Sequence, residues 1–396
     1  MLERSARLLD RHKPELTSVH LVRYHPILQI GLLEKFYVYY YMMLNIGALA
    51  GGIVVPLVAE TSVAIAYTLP VVVFSLGLIT FVLFSSRYVR IKPEKEAITT
   101  TLSLIAKRLV CRPFEEAKVS NGGSVNDGFV EGIKNLLLVI PISTMVIPFC
   151  LVYFQLATVF VTQGTAMADV GFIDASMMNN LDAISVLVFG YIMSTYLYPF
   201  LSRRYGIIIP TTIKFAIGTA LAGLSVLGLI IIDYAIKTTY NTSGGTICIL
   251  WQTFSYVLVG GAKIFCFSAV YEVTFQIAPR ELKGLASSIM LLINGAGANF
   301  LSVGLYQAFE KWFPVAPSLE DYADATHFVD YLWVVFAITA SAAIFLALPG
   351  IRCWVEGIKQ AATIINHNRS SREDEEEDVE TESQRTASTE SALEVE

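Results

Sequence analysis

The sequence predicts an all-α membrane protein with eight transmembrane helices, and three observations carry that expectation. Hydrophobic residues make up 54% of the 396 and charged residues only 16%. The mean hydropathy is +0.57, and uncharged runs recur at the roughly 20-residue length that a bilayer requires. The lysines and arginines then alternate from loop to loop, as expected when short cytoplasmic segments are the basic ones. With the amino terminus inside, the inner segments carry six (1–35), nine (86–134), three (Arg203, Arg204, Lys214), two (Arg280, Lys283) and those from Arg352 onward. The outer segments carry none, none, Lys237 and Lys311.

In order, residues 1–35 form a polar cytoplasmic segment with no run of spanning length. Spans at 36–58 and 62–85 make a hairpin turning at Glu60 and Thr61. Residues 86–133 are a hydrophilic cytoplasmic loop, with an amphipathic helix at 97–109 and a flexible linker at 119–128. Six further spans follow, at 134–162, 180–202, 211–235, 247–277, 285–309 and 326–353. Residues 354–396 read as a disordered acidic cytoplasmic tail. Its last 25 residues hold eleven carboxylates against Arg372 and Arg385, so the formal charge of −6 conceals a basic remainder.

The chemistry inside the spans is sparse. All five histidines (His12, His20, His25, His327, His367) lie in loops, tails or near helix ends, and the five cysteines show no CxxC spacing. No GxxxxGK[ST], HExxH or GxSxG pattern occurs, which disfavours a nucleotide-driven pump or an embedded enzyme. The stretch 247–284 nevertheless carries Lys263 and Glu272, and a charge at mid-bilayer normally faces a bundle interior or a wet cavity. Nine residues apart, the two lie about 13.5 Å apart along a helix and on opposite faces, so they do not neutralise each other. Asp182, Asp233 and Asp330 sit near outer helix ends, where snorkelling is the default. Asn45, Tyr153, Gln155, Asn294 and Asn299 are polar groups within spans, each more often a bridge between helices than a ligand. The runs IGALAGG (46–52) and NGAGAN (294–299) suit close helix packing, and Pro56, Pro70, Pro141, Pro148 and Pro199 allow kinks.

Several stretches resemble the proton-coupled oligopeptide transporter (POT, or PTR) family of the major facilitator superfamily, most closely its fungal-type members. YVYYYMMLNIGAL (37–49) is similar to the family's fifth-helix signature, with Leu44 a mild departure. VAETSVAIAYTLP (58–70), SSRYVR (85–90), FQLATVFVTQGTAM (154–167), NNLDAISVLVFGY (179–191), YPFLSRRYGI (198–207) and YEVTFQIAPRELKG (271–284) follow in the family's order. The resemblance implies a major-facilitator-type bundle whose eight spans are helices 5 to 12 of a twelve-helix fold. Residues 134–353 would then be the complete carboxy-terminal six-helix bundle and residues 36–85 the last two helices of an amino-terminal bundle, with helices 1 to 4, the ExxER motif and the fourth-helix lysine missing. Counting back from Ala278 and Pro279, Glu272 matches a recurrent family glutamate. Lys263 falls where peptide transporters usually carry the glutamate that faces the peptide's amino group, and a cation there would repel an ammonium and favour an anionic group.

The resemblance implies proton-coupled symport of di- or tripeptides, or a related small solute, by alternating access, with the proton gradient and no cofactor. It implies a multi-pass protein of the plasma membrane with both termini cytoplasmic, whose partners are the solute, protons and the lipid bilayer but no nucleic acid. Tyr41, Asn45, Tyr153, Gln155, Asn180 and Lys263 become substrate-binding candidates, and Glu272 a gating or structural carboxylate. Two alternatives stay open: a transport-inactive fragment or regulatory partner associated with another carrier chain, and the same fold carrying an anion such as nitrate.

Overall fold

The computed structural model describes residues 18–88, 99–101, 103–105, 114–171, 173–175, 177–206, 209–279, 282–316 and 318–364. The helices are α1 (Ser18–Thr61), α2 (Val63–Leu83), α3 (Asp127–Thr144), α4 (Ile147–Phe154), α5 (Val159–Gly164), α6 (Asn180–Ile192), α7 (Tyr198–Tyr205), α8 (Thr211–Ser243), α9 (Thr253–Ile277), α10 (Lys283–Leu291), α11 (Ala298–Ala308), α12 (Leu319–Asp324) and α13 (Phe328–Ala347). A further helix, α14, covers residues 349–364. Seven continuous stretches are long and apolar enough to cross a membrane. An eighth is the pair Asp127–Thr144 and Ile147–Ala157, bent by 51°. The described residues contain no β-strand, only isolated bridges.

Local chemistry explains most boundaries. Ser62 separates α1 from α2, and its hydroxyl caps α2 by accepting from the Ile65 amide. Pro141 and Pro148 flank the bend between α3 and α4. A wide π turn, Met193–Leu197, precedes Pro199, whose ring and missing N–H disrupt the ordinary i to i−4 ladder. Gly244 ends α8 in the left-handed region at φ 67°. Ala278 and Leu348 end α9 and α13 in extended backbone (ψ 134°), each immediately before a proline.

That last stop changes two boundaries. The span expected at 326–353 closes at Ala347. Residues 349–364 are helical, so the stretch from 354 onward expected to begin a disordered tail is instead ordered as far as 364, with Val355 and Ala362 buried. Glu356 accepts a hydrogen bond from the Thr211 amide at the start of α8, and Lys359 donates to the Thr211 hydroxyl. At the other end, α1 begins at Ser18, so the apolar stretch from residue 36 is part of a longer helix. Of the expected surface helix 97–109, residues 99–101 and 103–105 are helical with Thr101 and Leu104 buried, and the remainder lies outside the described residues. Residues 1–17 and 365–396 also lie outside them.

The core is built around α8 and α9, which pack along each other; α13 flanks α8, α6 flanks α9, and α1 lies across α6 and α9. Within the membrane window 72% of α9's residues are buried, against 6% in α1 and in α2, so α9 is the structural axis and α2 faces outward. Ser225 and Ser255 exchange hydroxyl-to-carbonyl hydrogen bonds of 2.9 and 3.0 Å between α8 and α9. The glycine runs meet the expectation of close packing only in part. A Cβ at Gly47, Gly51 or Gly295 would meet nothing within 4 Å, whereas Gly52 lies against the Asn180 side chain. NGAGAN begins within a π turn, Leu292–Gly297, that packs on α3 and α4 with Asn294 and Ala298 buried.

Beside the membrane, Glu115 and Glu131 bracket Lys118 and Lys134, with Lys118 at 2.6 and 2.5 Å from the two carboxylates. The Lys118 ammonium, and then that of Lys134, hold the Glu115 carboxyl below its ordinary range. A depressed carboxylate stabilises the fold above its unfolded value, about 4.3, and that contribution disappears as pH falls through the lower folded value. Amide exchange at Asn121 and Val125, corrected for intrinsic rates, is therefore expected to lose protection only below about pH 4. Protection unchanged at pH 3 would show that this cluster does not hold the loop.

Candidate functional site

Lys263 is buried midway along α9, 4% exposed, and must find a counter-charge or lose its proton. The counter-charge is Asp182, in the first turn of α6, whose Oδ2 accepts from Lys263 Nζ. Two glycines bring the helices close enough for this contact. A Cβ at Gly260 would meet the Asp182 carbonyl oxygen at 2.8 Å, and one at Gly261 would meet the Phe189 ring at 3.2 Å. The Lys263 ammonium also sits 4.2 Å from the centre of the Tyr153 ring on α4, a cation–π contact. One helix position thus joins α4, α6 and α9.

An aromatic layer surrounds the pair. Phe267, one turn along α9, lies edge-on to Tyr153 (5.7 Å) and Phe149 (5.2 Å), and Tyr41 of α1 packs on its other side at 5.6 Å. Tyr37 and Tyr40 continue the contact onto Tyr271 at 6.2 and 5.9 Å. The tyrosine-rich start of the α1 span is therefore a clasp between α1 and α9, and Tyr41 reaches the charged pair through Phe267.

A second buried pair lies towards the end of α9. Glu272 Oε2 accepts from Lys214 of α8 at 3.1 Å, and its Oε1 accepts from Gln276 at 3.0 Å. Glu272 and Lys263 each find a partner on a different helix, in keeping with their positions on opposite faces of α9. Lys214, counted above among loop cations, is 3% exposed inside the bundle.

The remaining candidates divide. Asn45 donates to the Tyr41 carbonyl of its own helix at 2.8 Å, and Asn180 donates to Gly52 O at 3.4 Å, tying α6 to α1. Gln155 is buried in the turn between α4 and α5, facing the Tyr331 hydroxyl. None of these three touches the charged pair through a hydrogen bond on its side chain.

Two corrections concern the aspartates. Snorkelling describes Asp330, which is exposed and bonded to His327 Nδ1 at 2.9 Å, but not Asp182 or Asp233. Asp233 is fully buried, accepts from the Tyr322 hydroxyl at 2.7 Å and faces Lys237 at 3.1 Å; Gln163 and Gln252 extend this network across α5 and α8. Sequence reasoning missed Asp182 because closeness to a helix end does not reveal which face is lined by protein. Its one signal was indirect: a buried lysine requires an acid on some neighbouring helix. With Asp182 alongside, the repulsion of an ammonium expected from Lys263 alone is offset, since the pair sums to zero.

Residues 6–318 match the PTR2 pattern of the POT family. The chain belongs to the POT family. Among its relatives, "Peptide transporter PTR_B" of Candidozyma auris is 24% identical, over 66% of this chain and 48% of that protein. "Peptide transporter PTR2" of Saccharomyces cerevisiae is 26% identical, over 67% and 46%. "Protein NRT1/ PTR FAMILY 7.2" of Arabidopsis thaliana is 27% identical, over 52% and 38%. The POT-family chain thus spans about half the length of the two fungal proteins. The crystal structure of an auto-inhibited POT family peptide transporter superposes with a TM-score of 0.60 at 20% identity, covering 80% of this chain and 70% of that one. The POT family transporter PepTSo gives 0.57 at 18%, covering 81% and 70%. At these identities the likeness establishes the fold, a major-facilitator-type bundle of membrane helices.

Proposed function

We propose that this POT-family chain carries di- or tripeptides, or a related small solute, across a membrane by alternating access with protons as the driving ion. The single observation that supports it most is the Lys263 and Asp182 pair. Two opposite charges kept nearly dehydrated within the apolar helices, over an aromatic ring and where α4, α6 and α9 meet, cost stability, and charges retained among membrane helices at that cost commonly mark a solute or ion pathway. A site of paired charges and ring faces suits a small solute that carries both an ammonium and a carboxylate. The fungal relatives named as peptide transporters point the same way. A plasma-membrane location with both termini cytoplasmic belongs to the same reading and follows the Lys/Arg distribution.

The anion reading draws on the cation at Lys263 and on the plant NRT1/PTR relatives, but the adjacent Asp182 removes the net positive charge on which it depended. The test is uptake of a labelled dipeptide into liposomes containing this chain, with and without an imposed proton gradient. Gradient-dependent uptake, suppressed by unlabelled dipeptide and not by nitrate, is the expected result. Uptake indifferent to the gradient would remove the proton coupling, and no uptake would remove the carrier reading for this chain.

A further inference from the structure

Helix α14 plays no part in the carrier reading, and its surface divides into three stripes. At about 100° per residue, Val355, Ile358 and Ala362 fall on one of them. Val355 and Ala362 are buried, and Ile358 packs against the main core. Arg352, Glu356, Lys359 and Thr363 make a polar stripe beside it. Trp354, Gly357, Ala361 and Ile364 make the last, about 120° round the helix from the buried one. All four are exposed, Trp354 by 43% and Ile364 by 60%, and none is charged. An uncharged, exposed stripe of this kind marks contact with a further surface.

Two hydrogen bonds fix where the helix lies. The Thr211 amide donates to Glu356 Oε1 at 3.2 Å, and Lys359 Nζ donates to Thr211 Oγ1 at 3.0 Å. Glu356 and Lys359 stand one turn apart, yet both reach the first residue of α8, and Ala362 beyond them is still buried. Helix α14 therefore crosses the end of α8, at the level where the spans stop. Immediately before it, Ile344, Phe345 and Leu348 are 69%, 51% and 46% exposed, the apolar outward face of the end of a membrane span. Exposed apolar side chains resume at Trp354, past the break at Pro349.

We propose that α14 is a membrane-surface helix whose Trp354 stripe rests on the phospholipid of the adjoining leaflet, while its Val355 stripe holds the start of α8. A helix lying in this plane sinks its apolar side about 5–10 Å into the boundary between headgroups and acyl chains and leaves its polar side in water. Trp354 suits that depth, because the indole combines an apolar body with one N–H donor. The Arg352 and Thr363 stripe is then the side in water. The contact with lipid is linked to the bundle. Pro210, at the cap position of α8, gives no side-chain hydrogen bond, and Glu356 accepts from the first amide in its place. Lipid thus bears on the start of α8, one turn before Lys214 and its bond to Glu272. The assignment holds whichever solute the chain carries.

The test uses the full chain in phosphatidylcholine nanodiscs, one copy per disc. The fluorescence of wild type minus that of Trp354→Phe isolates Trp354. Most of this difference is expected to be lost when the acyl chains are brominated, and little of it to aqueous iodide. Quenching by iodide and not by bromolipid would put the stripe in water and overturn the proposal. Quenching by neither would mean that protein covers it, a second copy or another segment, and would overturn it equally. A second measurement does not depend on that variant folding. Ala361→Glu and Gln360→Glu place the same carboxylate, in a good helix former, on the lipid stripe and near the polar side. Amide exchange across 349–364 is expected to speed severalfold in Ala361→Glu and to stay unchanged in Gln360→Glu. Equal exchange in the two variants would show that the Ala361 side meets no lipid.

Discussion

Neutralising one member of the central pair, by Asp182→Asn or Lys263→Gln, is expected to destabilise the protein by about 3–5 kcal/mol. The pair is almost dehydrated, its side chains 8% and 5% exposed, so the surviving charge would stay in low dielectric with no partner. Tyr153 holds Lys263 through its ring, but such a contact is worth about 0.5–2 kcal/mol and does not replace a carboxylate. The double variant, which removes both charges, is expected to recover most of the loss, because the cost lies in stranding one ion. Unfolding in mixed micelles, followed by denaturant titration of the two single variants and the double, measures this. Three variants within about 1 kcal/mol of wild type would mean that water reaches the pair.

Adding a single methyl at Gly260 is expected to cost about 1–3 kcal/mol and to reach the same ion pair without altering a charge. The new Cβ would lie 2.8 Å from the Asp182 carbonyl oxygen and 3.2 Å from the Val186 amide nitrogen, and backbone cannot rotate aside as a side chain can. Helix α6 would have to retreat from α9 and draw Asp182 away from Lys263. Gly304→Ala is the matched control. It lies inside α11, where a Cβ meets nothing within 4 Å, so only the helix propensity changes, by about 0.5–1 kcal/mol in the stabilising direction. Thermal unfolding in detergent separates the cases; equal and opposite shifts are not required, but a Gly260→Ala variant as stable as wild type would contradict the close approach.

Membrane spans were legible because a bilayer imposes length and composition on each helix separately, and those properties are local. The stop at Ala278 agrees with the span end expected at 277, whereas the stop at Leu348 falls short of the expected 353, and the helix that resumes after it and docks on Thr211 needed the partner surface. The glycine runs told only part of the packing: NGAGAN meets α3 and α4 as a π turn and Gly52 meets Asn180, but the close approach at the charged pair is made by Gly260 and Gly261, which carry no distinctive pattern. Polar candidates divided according to what lay opposite. Tyr153 met Lys263, whereas Asn45 turned back on its own helix.

What the sequence determined by itself was the class: a multi-pass helical membrane protein, the approximate spans, the family, and the presence of a lysine and a glutamate that a bilayer would not tolerate unpaired. Only the tertiary structure decided their partners, Asp182 on α6 for Lys263 and Lys214 on α8 for Glu272. The physical reason is that hydropathy reports how much of a helix avoids water, summed along the chain. The partner of a buried charge is fixed by which faces of separate helices meet, and residues 81 positions apart leave no periodicity that could have announced it.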